Sequence, residues 1–386
     1  WTSDLFRPTW LRQNVMRHVP TESDSAVELR VRLRKSAAKR LAAVNAGRPK
    51  KAVRAYATDS DIRAWTSDLF RLDGRGVLNM WAPFSMVAVV TIAWTPIVMH
   101  FFDADSETCS ALSNAEGAFR LQLTALSFLL VFRLNRAATR HWEARQLCGW
   151  MMIHCRDLAM SSVAAHASAP GDFSAETRDR LCEVAVGFPV AFMLHVWGPA
   201  QSDRRADLFE SMCYNIFDAP TMELLSSAAH RPLAMVEHAQ AVLASQFLSG
   251  SARDNVAMAQ LYASLLHSAK GLGQPLGGCE RIQGTPLPYA FVVHLRSFLL
   301  LVLCGIPVVY ACDWRWATIP LSLLVAFGLL GIEAASVECE RPFSPTPTKN
   351  DHDVEKFCGV LSREVTEMLE RAAASTASAE AARLST

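Results

Sequence analysis

Histidine is the residue in this 386-residue chain whose chemistry could most readily support catalysis or metal binding. Five histidines lie in or near apolar segments: His100, His141, His154, His195 and His294. No two of them are four residues apart, and no histidine is followed by Glu, as the HExxH zinc motif requires. GxSxG, Walker and GxGxxG motifs are also missing from the sequence. We therefore expect no enzyme and no metal site, and interpret the histidines as hydrogen-bonded interior or interface groups. A pH-sensing role stays open for His195 and His294.

The ten cysteines form no CxxC pair, and their spacing is not that of a small secreted domain. Several lie in apolar or helical stretches, where free cysteine behaves as a small hydrophobe. These are Cys148, Cys155, Cys182, Cys304 and Cys312. The pattern predicts reduced, structural cysteines.

Residues 127–146, SFLLVFRLNRAATRHWEARQ, join an apolar run to a series of arginines without a turn residue between them. Thr124, Phe128 and Phe132 are four residues apart, so on a helix they form one stripe. Such a stripe either packs in a helix core or, in a ring of subunits, forms an apolar constriction that gates by dewetting.

The arginines of this segment include Arg140 and Arg145, with Glu143 between them. A buried charge needs a partner. We therefore predict a structural charge network of Arg140, Glu143 and Arg145 at the membrane edge, with Glu143 and Asp157 as the acidic partners. Some arginines could also raise the anion concentration near a pore mouth.

The composition favours a membrane protein with a substantial water-exposed part. Charged residues make up 19% of the chain and hydrophobic residues 51%, and the mean hydropathy is +0.15. These values are too apolar for a typical soluble enzyme and too polar for a chain made only of membrane spans. The net charge of +1 gives no bias toward nucleic acid.

Apolar runs long enough to span a bilayer predict about four membrane segments, at 77–102, 121–140, 289–312 and 316–332. A fifth apolar segment, 184–202, is interrupted by Pro189 and Gly198 and is left open as a span. Soluble helices are predicted in 143–182 and 203–285, where apolar residues recur at spacings of three and four. Alternating strand patterns are nearly absent, so the fold class is an all-α integral membrane protein.

The N-terminal segment 1–64 has a different character. No acid occurs from residue 31 to 58, where basic residues lie among Ala, Val and Ser. This composition is typical of organelle transit peptides, and equally of a disordered basic tail attracted to an anionic membrane. The heptapeptide WTSDLFR occurs at residues 1–7 and again at 65–71. Residues 344–386 are expected to be a peripheral segment and tail.

Several strings together resemble the bestrophin family, including its bacterial and chloroplast branches. DLFRLDGRGVLNMWAPF (68–84) resembles the entry into the family's first membrane helix, and FLLVFRLNRAATRHWEAR (128–145) resembles its FRxNxxYxRWWEAR helix. HRPLAM (230–235), GGCERIQGTPLPYAFVVHL (277–295) and GIEAASVECERPF (331–343) resemble later family segments. The channel domain would then cover 65–343.

The resemblance implies a homopentameric anion channel with one central pore and a helical soluble vestibule, passing chloride and bicarbonate. By alignment, Thr124, Phe128 and Phe132 take the neck positions, where Thr124 replaces the usual aliphatic residue. Leu233 takes the position of a second apolar aperture. The implied partners are membrane lipids and four further copies of the chain, without nucleic acid. The transit-like segment and the chloroplast branch indicate a plastid membrane such as the thylakoid.

A calcium clasp is not expected. Animal members of the family follow an Asn-Pro-Phe with a run of acids, whereas here residues 344–349 contain no carboxylate. Since Ca²⁺ prefers six to eight oxygen ligands, we predict no Ca²⁺ cofactor. The alternative to a channel is a membrane scaffold or regulator that keeps the fold but conducts weakly or not at all.

Overall fold

The computed structural model describes residue 31 and residues 75–102, 107–198, 209–213, 216–248, 255–343 and 351–384. Regular structure in this part of the chain is helical, without a strand, which confirms the all-α prediction. Its main helices are α1 (Arg75–Phe101), α2 (Glu107–Ser168), α3 (Ala175–Val196), α4 (Ala219–Ser227), α5 (Arg231–Phe247), α6 (Val256–Gly271), α7 (Gly273–Gly284), α8 (Tyr289–Trp314), α9 (Thr318–Glu340) and α10 (Val354–Leu384). Apart from residue 31, segment 1–64 lies outside the described residues, as do both copies of WTSDLFR and residues 344–350.

One apolar cluster joins α1, the first part of α2, α8 and α9. Leu126 and Leu130 of α2 are fully buried in it, beside Val302 of α8 and Leu330 of α9. Three helical stretches are long and apolar enough to cross a membrane, namely Met80–Phe101, Glu107–Ser168 and Tyr289–Glu340. These stretches contribute the helices of this cluster, which is therefore the part of the described fold best suited to a membrane.

The hairpin between α8 and α9 turns over a short 3-10 helix, Arg315–Ala317. Arg315 has a φ of 54°, in the left-handed region that non-glycine residues adopt mainly in tight turns. This turn separates the two apolar runs predicted as membrane segments, 289–312 and 316–332.

A second apolar cluster joins the later part of α2 to α3, α5, α7 and α10. Met151 of α2, Phe188 and Phe192 of α3, Met235 of α5 and Leu361 of α10 are all fully buried in it. The α2, α5 and α7 residues of this cluster come from the ranges predicted to be soluble helices, 143–182 and 203–285.

Residues 184–196, the described helical part of the apolar segment 184–202, lie inside this second cluster. With the exception of His195, every residue from Val184 to Val196 is buried. A helix that is apolar on all sides must be covered on all sides, and here α2, α5 and α10 pack against it. This segment is not among the three stretches suited to crossing a membrane.

Helix α2 belongs to both clusters, because it runs without interruption for 62 residues. At 1.5 Å per residue it is about 93 Å long, roughly three times the hydrocarbon thickness of a bilayer. The sequence predicted a membrane segment at 121–140 and a soluble region from 143. The structure shows that one helix carries both.

A disulfide joins Cys109, near the start of α2, to Cys312, near the end of α8, with 5.7 Å between their Cα atoms. The prediction of a reduced cysteine is therefore wrong for Cys312. The pairing spans 203 residues and leaves no local spacing signal, so only the packing of α2 against α8 reveals it. The prediction is confirmed for the other cysteines named above, which are free: Cys148, Cys155, Cys182 and Cys304.

Candidate functional site: the exposed stripe of α2 and the groups that fix it

The predicted stripe lies on the exposed face of α2. Phe128 is 63% exposed and Phe132 is 62% exposed, while Leu126 and Leu130 on the opposite face are fully buried. Large apolar side chains this accessible are not part of the core of their own subunit. Of the two interpretations of the stripe, packing within one subunit is therefore excluded.

Thr124, one turn before Phe128, is also exposed. Its hydroxyl donates to the backbone carbonyl of Arg120 across 2.9 Å, as threonine commonly does within a helix. That bond uses the only donor of the side chain. The surface that Thr124 presents is thus a methyl group and a hydroxyl oxygen, and no free donor for an anion.

The face opposite the stripe is held by Arg133, whose side chain is completely buried. Its Nε lies 2.5 Å from Oε2 of Glu333, and one terminal nitrogen lies 3.2 Å from Oε2 of Glu340. The other oxygen of Glu333 accepts from Nε of Arg296 across 2.7 Å. Two arginines and two glutamates thus compensate each other: Arg296 is half exposed, whereas Arg133 and the two carboxylates are largely buried and need such partners.

This cluster, which we call the charged brace (Arg133, Arg296, Glu333 and Glu340), connects α2 to α8 and α9. Arg133 directly follows Phe132 in α2. The brace therefore fixes the orientation of α2 about its own axis at Phe132. Oε1 of Glu340 also accepts the backbone N–H of Leu287, just before α8. The predicted charge network did not include Arg133 or Arg296, and the sequence did not identify these acidic partners.

Arg140, Glu143 and Arg145 do not form a network with one another. Arg140 donates to the carbonyls of Ile282, at 2.5 Å, and Thr285, at 2.9 Å. These carbonyls lie at the end of α7, where the last carbonyls of a helix have no partner within it. Glu143 pairs with Arg281 of α7.

Arg145 instead lies over the ring of Phe357 in α10, with its guanidinium carbon 4.8 Å from the ring centroid. The expected mutual network is therefore wrong, because each of the three side chains reaches a different partner outside α2. Their predicted structural character agrees with these contacts. Neither Glu143 nor Asp157 pairs with an arginine of α2 in the described contacts.

α10 is fixed to α2 by two further contacts. Arg156 forms a bidentate ion pair with Glu364, with distances of 2.8 and 2.9 Å. Nε2 of His352 donates to the backbone carbonyl of His141 across 2.9 Å. Burial lowers the pKa of His352 to about 4, so this imidazole is neutral at ordinary pH.

Leu233, the predicted aperture residue, is 55% exposed in the first turn of α5. Its backbone N–H donates to Nδ1 of His230, which caps this helix in the place where Ser or Asn is more usual. Nε2 of His230 and Nε2 of His195 both bond to Oε1 of Glu280, at 2.7 and 2.8 Å. The sequence did not predict this group, because its members come from three different helical regions and share no local spacing.

The fold and the exposed stripe define a helical integral membrane protein whose longest helix presents an apolar face away from its own core. Comparison with known proteins identifies the family. The profile described as "Bacterial/Fungal Bestrophin protein" matches residues 57–367, so the chain belongs to the bestrophin family.

Two relatives show how much of the chain is matched and at what sequence identity. A voltage-dependent anion channel-forming protein of Nostoc sp. is 30% identical over 244 residues, which are 63% of this chain and 74% of the relative. Voltage-dependent chloride channel 1, chloroplastic, of Arabidopsis thaliana is 26% identical over 279 residues, 71% of this chain and 63% of the relative.

A crystal structure of a bacterial bestrophin homologue from Klebsiella pneumoniae, carrying a point mutation, shares the fold. The TM-score is 0.61 at 19% identity, and the match covers 75% of this chain and 98% of the homologue. The resemblance inferred from sequence motifs is thereby confirmed.

Proposed function

We propose that this protein is an anion channel in which five copies surround one pore and Thr124, Phe128 and Phe132 of each copy form its neck. The observation that carries the proposal is the exposure of both phenylalanines on a membrane helix whose other face is buried. The names of the relatives, anion channel-forming protein and chloride channel, support the same function.

A ring of phenylalanines can close a pore without a moving plug. Water leaves a sufficiently narrow apolar constriction, and a dry constriction does not conduct ions. Small rotations of α2 would change the diameter of the ring, and the charged brace beside Phe132 resists such rotations. The neck would therefore act as the gate.

Anion preference would come from basic residues near the neck and not from the neck itself. Arg136 lies one turn beyond Phe132, is exposed, and forms no ion pair with any described residue. Five such cations around one axis would raise the local concentration of chloride. Arg120, at the other end of the stripe, is partly neutralised by Glu116 at 2.5 Å.

Leu233 would form the second constriction, at the far end of the vestibule. Its exposure in the first turn of a well-capped helix suits an aperture residue, because the side chain is accessible while its backbone is fixed.

Chloride and bicarbonate are the proposed ions. The acid-free basic segment and the chloroplastic relatives support a plastid membrane, such as the thylakoid, as the location.

Currents from the purified protein in planar bilayers test this proposal. Under an asymmetric KCl gradient we expect the reversal potential to shift toward the equilibrium potential of chloride. Replacing chloride by bicarbonate on one side then measures the relative permeability of the two anions. If no anion current appears across a wide voltage range, the chain is the non-conducting scaffold instead.

A further inference from the structure

Three potential metal ligands converge where α3, α5 and α7 meet. His195, His230 and Glu280 each offer one ligand atom, and these three atoms all lie within 4.8 Å of one another. The two imidazole rings are 4.3 Å apart between centroids and share one carboxylate oxygen as their hydrogen-bond partner. A single ion placed among the three atoms could therefore contact all of them after small side-chain movements.

We propose that His195, His230 and Glu280 form a binding site for a divalent transition metal of the zinc class. Two imidazole nitrogens and one carboxylate are a ligand set that Zn²⁺ uses with water in the remaining position. Ca²⁺ and Mg²⁺ prefer sets made of oxygen, so they are not the expected ions.

The site is accessible from solvent. The three side chains are 29%, 36% and 37% exposed, so an ion with its water ligands can enter without opening the core. Their backbone positions are nevertheless fixed, because His195 lies in the last turn of α3, His230 caps α5, and Glu280 lies within α7. A fixed set of ligands loses little conformational entropy on binding.

Metal binding at this site would change the role of His230. In the metal-free state Nδ1 accepts the N–H of Leu233, so the ring proton is on Nε2 and points to Glu280. An imidazole that binds a metal through Nε2 carries its proton on Nδ1. The ion therefore removes the acceptor of the Leu233 amide, which links its binding to the first turn of α5.

The proposal goes beyond the channel function and does not depend on it, since the ion would bind whether or not the protein conducts. The test measures metal retention by the purified full-length protein. Metal-stripped protein is equilibrated with Zn²⁺ and dialysed, and the zinc retained per subunit is measured by elemental mass spectrometry. We expect a single Zn²⁺ per subunit, retained in an excess of Ca²⁺ and Mg²⁺.

Three variants locate that zinc. His195→Asn and Glu280→Gln each remove one ligand, and His230→Asn removes the third while supplying a side chain that is itself a good helix cap. All three should lose the bound zinc. His267→Asn, at an exposed histidine of α6 outside the cluster, should retain it.

Two outcomes would overturn the proposal. Equal zinc retention by all the variants would assign the metal to other histidines or cysteines. No retention by the wild-type protein would leave the cluster as a hydrogen-bonded triad only. Circular dichroism and gel filtration of each variant confirm that a loss of zinc does not reflect a loss of fold.

Discussion

Phe128 and Phe132 are exposed in the single subunit. Substituting them should therefore change conduction through the assembled pore. If these residues form the proposed neck, the variant Phe128→Ala/Phe132→Ala makes it wider and less apolar, so water should remain in it. We expect a higher open probability or conductance with an unchanged preference for anions. Single-channel recording from protein with matched assembly yield measures both properties.

The control for this variant is Phe327→Ala, since Phe327 is a 52% exposed phenylalanine of α9, away from the stripe. It should gate as the wild type does. Wild-type gating in the double variant would instead place the constriction elsewhere, and Leu233 would be the next position to substitute.

Arg133 has a different role, in stability. Arg133→Met leaves Glu333 and Glu340 without their buried partner, and losing one partner of a buried ion pair costs about 3–5 kcal/mol. We expect a marked drop in thermal stability, or a failure to assemble. Arg136→Met, three residues away at an exposed position, is the matched control and should change stability little. Similar losses in both variants would show that the brace is not stabilising.

At the residue scale, the sequence was sufficient to predict which side chains share one face of α2, but not which residues their charged neighbours contact. The four-residue spacing of Thr124, Phe128 and Phe132 was sufficient to predict one stripe, and the structure places that stripe on an exposed face. The partners of Arg133 and Arg140 could not be predicted, because ion pairs between residues far apart in the chain leave no local pattern. The neck and aperture roles stay predictions.

At the scale of the helices, His352, which lies between α9 and α10, should make the stability of the protein depend on pH. Burial lowers the pKa of His352 to about 4; the hydrogen bond to the carbonyl of His141 and the charge of Asp351 oppose this lowering, whereas the charges of His141 and Arg145 add to it. The unfolded histidine has a pKa near 6.5, so the unfolded state binds more protons between these values. Stability from this group is therefore complete above about pH 6.5 and is lost as the pH falls toward about 4.

The variant His352→Gln keeps a side-chain donor for the carbonyl of His141 but cannot titrate. Unfolding temperatures measured from neutral to acid pH should decline less steeply for this variant than for the wild type. The exposed-site variant His267→Gln should follow the wild-type curve. Parallel curves for His352→Gln and the wild type would contradict a buried, neutral His352.

The N-terminal cap of α5 allows a test, also at the scale of one helix, of zinc binding by His230. If Zn²⁺ binds Nε2 of His230, the amide of Leu233 loses its hydrogen-bond acceptor and should exchange with deuterium faster in the zinc-loaded protein. The amide of Ala257, capped in the same way by Asn255 at 2.9 Å, is the internal control and should not change. Unchanged exchange at Leu233 would mean that Nδ1 remains an acceptor and that zinc does not bind through Nε2.

Most helices could be predicted from apolar runs and periodicity, but their continuity could not. Nothing in the stretch 121–168 marks the point where membrane residues give way to soluble ones, because neither Pro nor a pair of glycines interrupts it. For the same reason a fully apolar segment such as 184–196 resembles a membrane span in sequence. Only the helices packed around it show that it belongs to the second cluster.

For the whole molecule, the exposed face of α2 predicts assembly. Trp142, Trp150 and Ile153 are 70%, 43% and 44% exposed, and at 100° per residue each lies within about 40° of Phe128 on the helix. Large apolar side chains thus recur on this face beyond the membrane segment, among exposed polar residues such as Asn135, Thr139 and Gln146. Large apolar side chains grouped on one exposed face often mark an interface.

An interface on this face agrees with the ring of five subunits that the family resemblance implies, so we expect five copies, each of 42.5 kDa, in the purified particle. Native mass spectrometry in detergent measures this directly, and two-dimensional class averages should show five-fold symmetry. A predominant monomer or dimer would contradict a central pore formed by α2. The assembly could not be derived from periodicity in the sequence, since a stripe has the same spacing whether it faces a lumen, a neighbour or lipid.

The unbroken course of α2 also restricts how this protein can evolve. One residue inserted between Phe132 and Arg140 would rotate everything after it by about 100° relative to the membrane half. Arg140 would then point away from the carbonyls of Ile282 and Thr285, and the apolar face would no longer be in register. Substitutions in this interval can be neutral, whereas a single-codon insertion or deletion cannot be absorbed by a loop, since none exists there. Homologous sequences should therefore align through this interval without gaps.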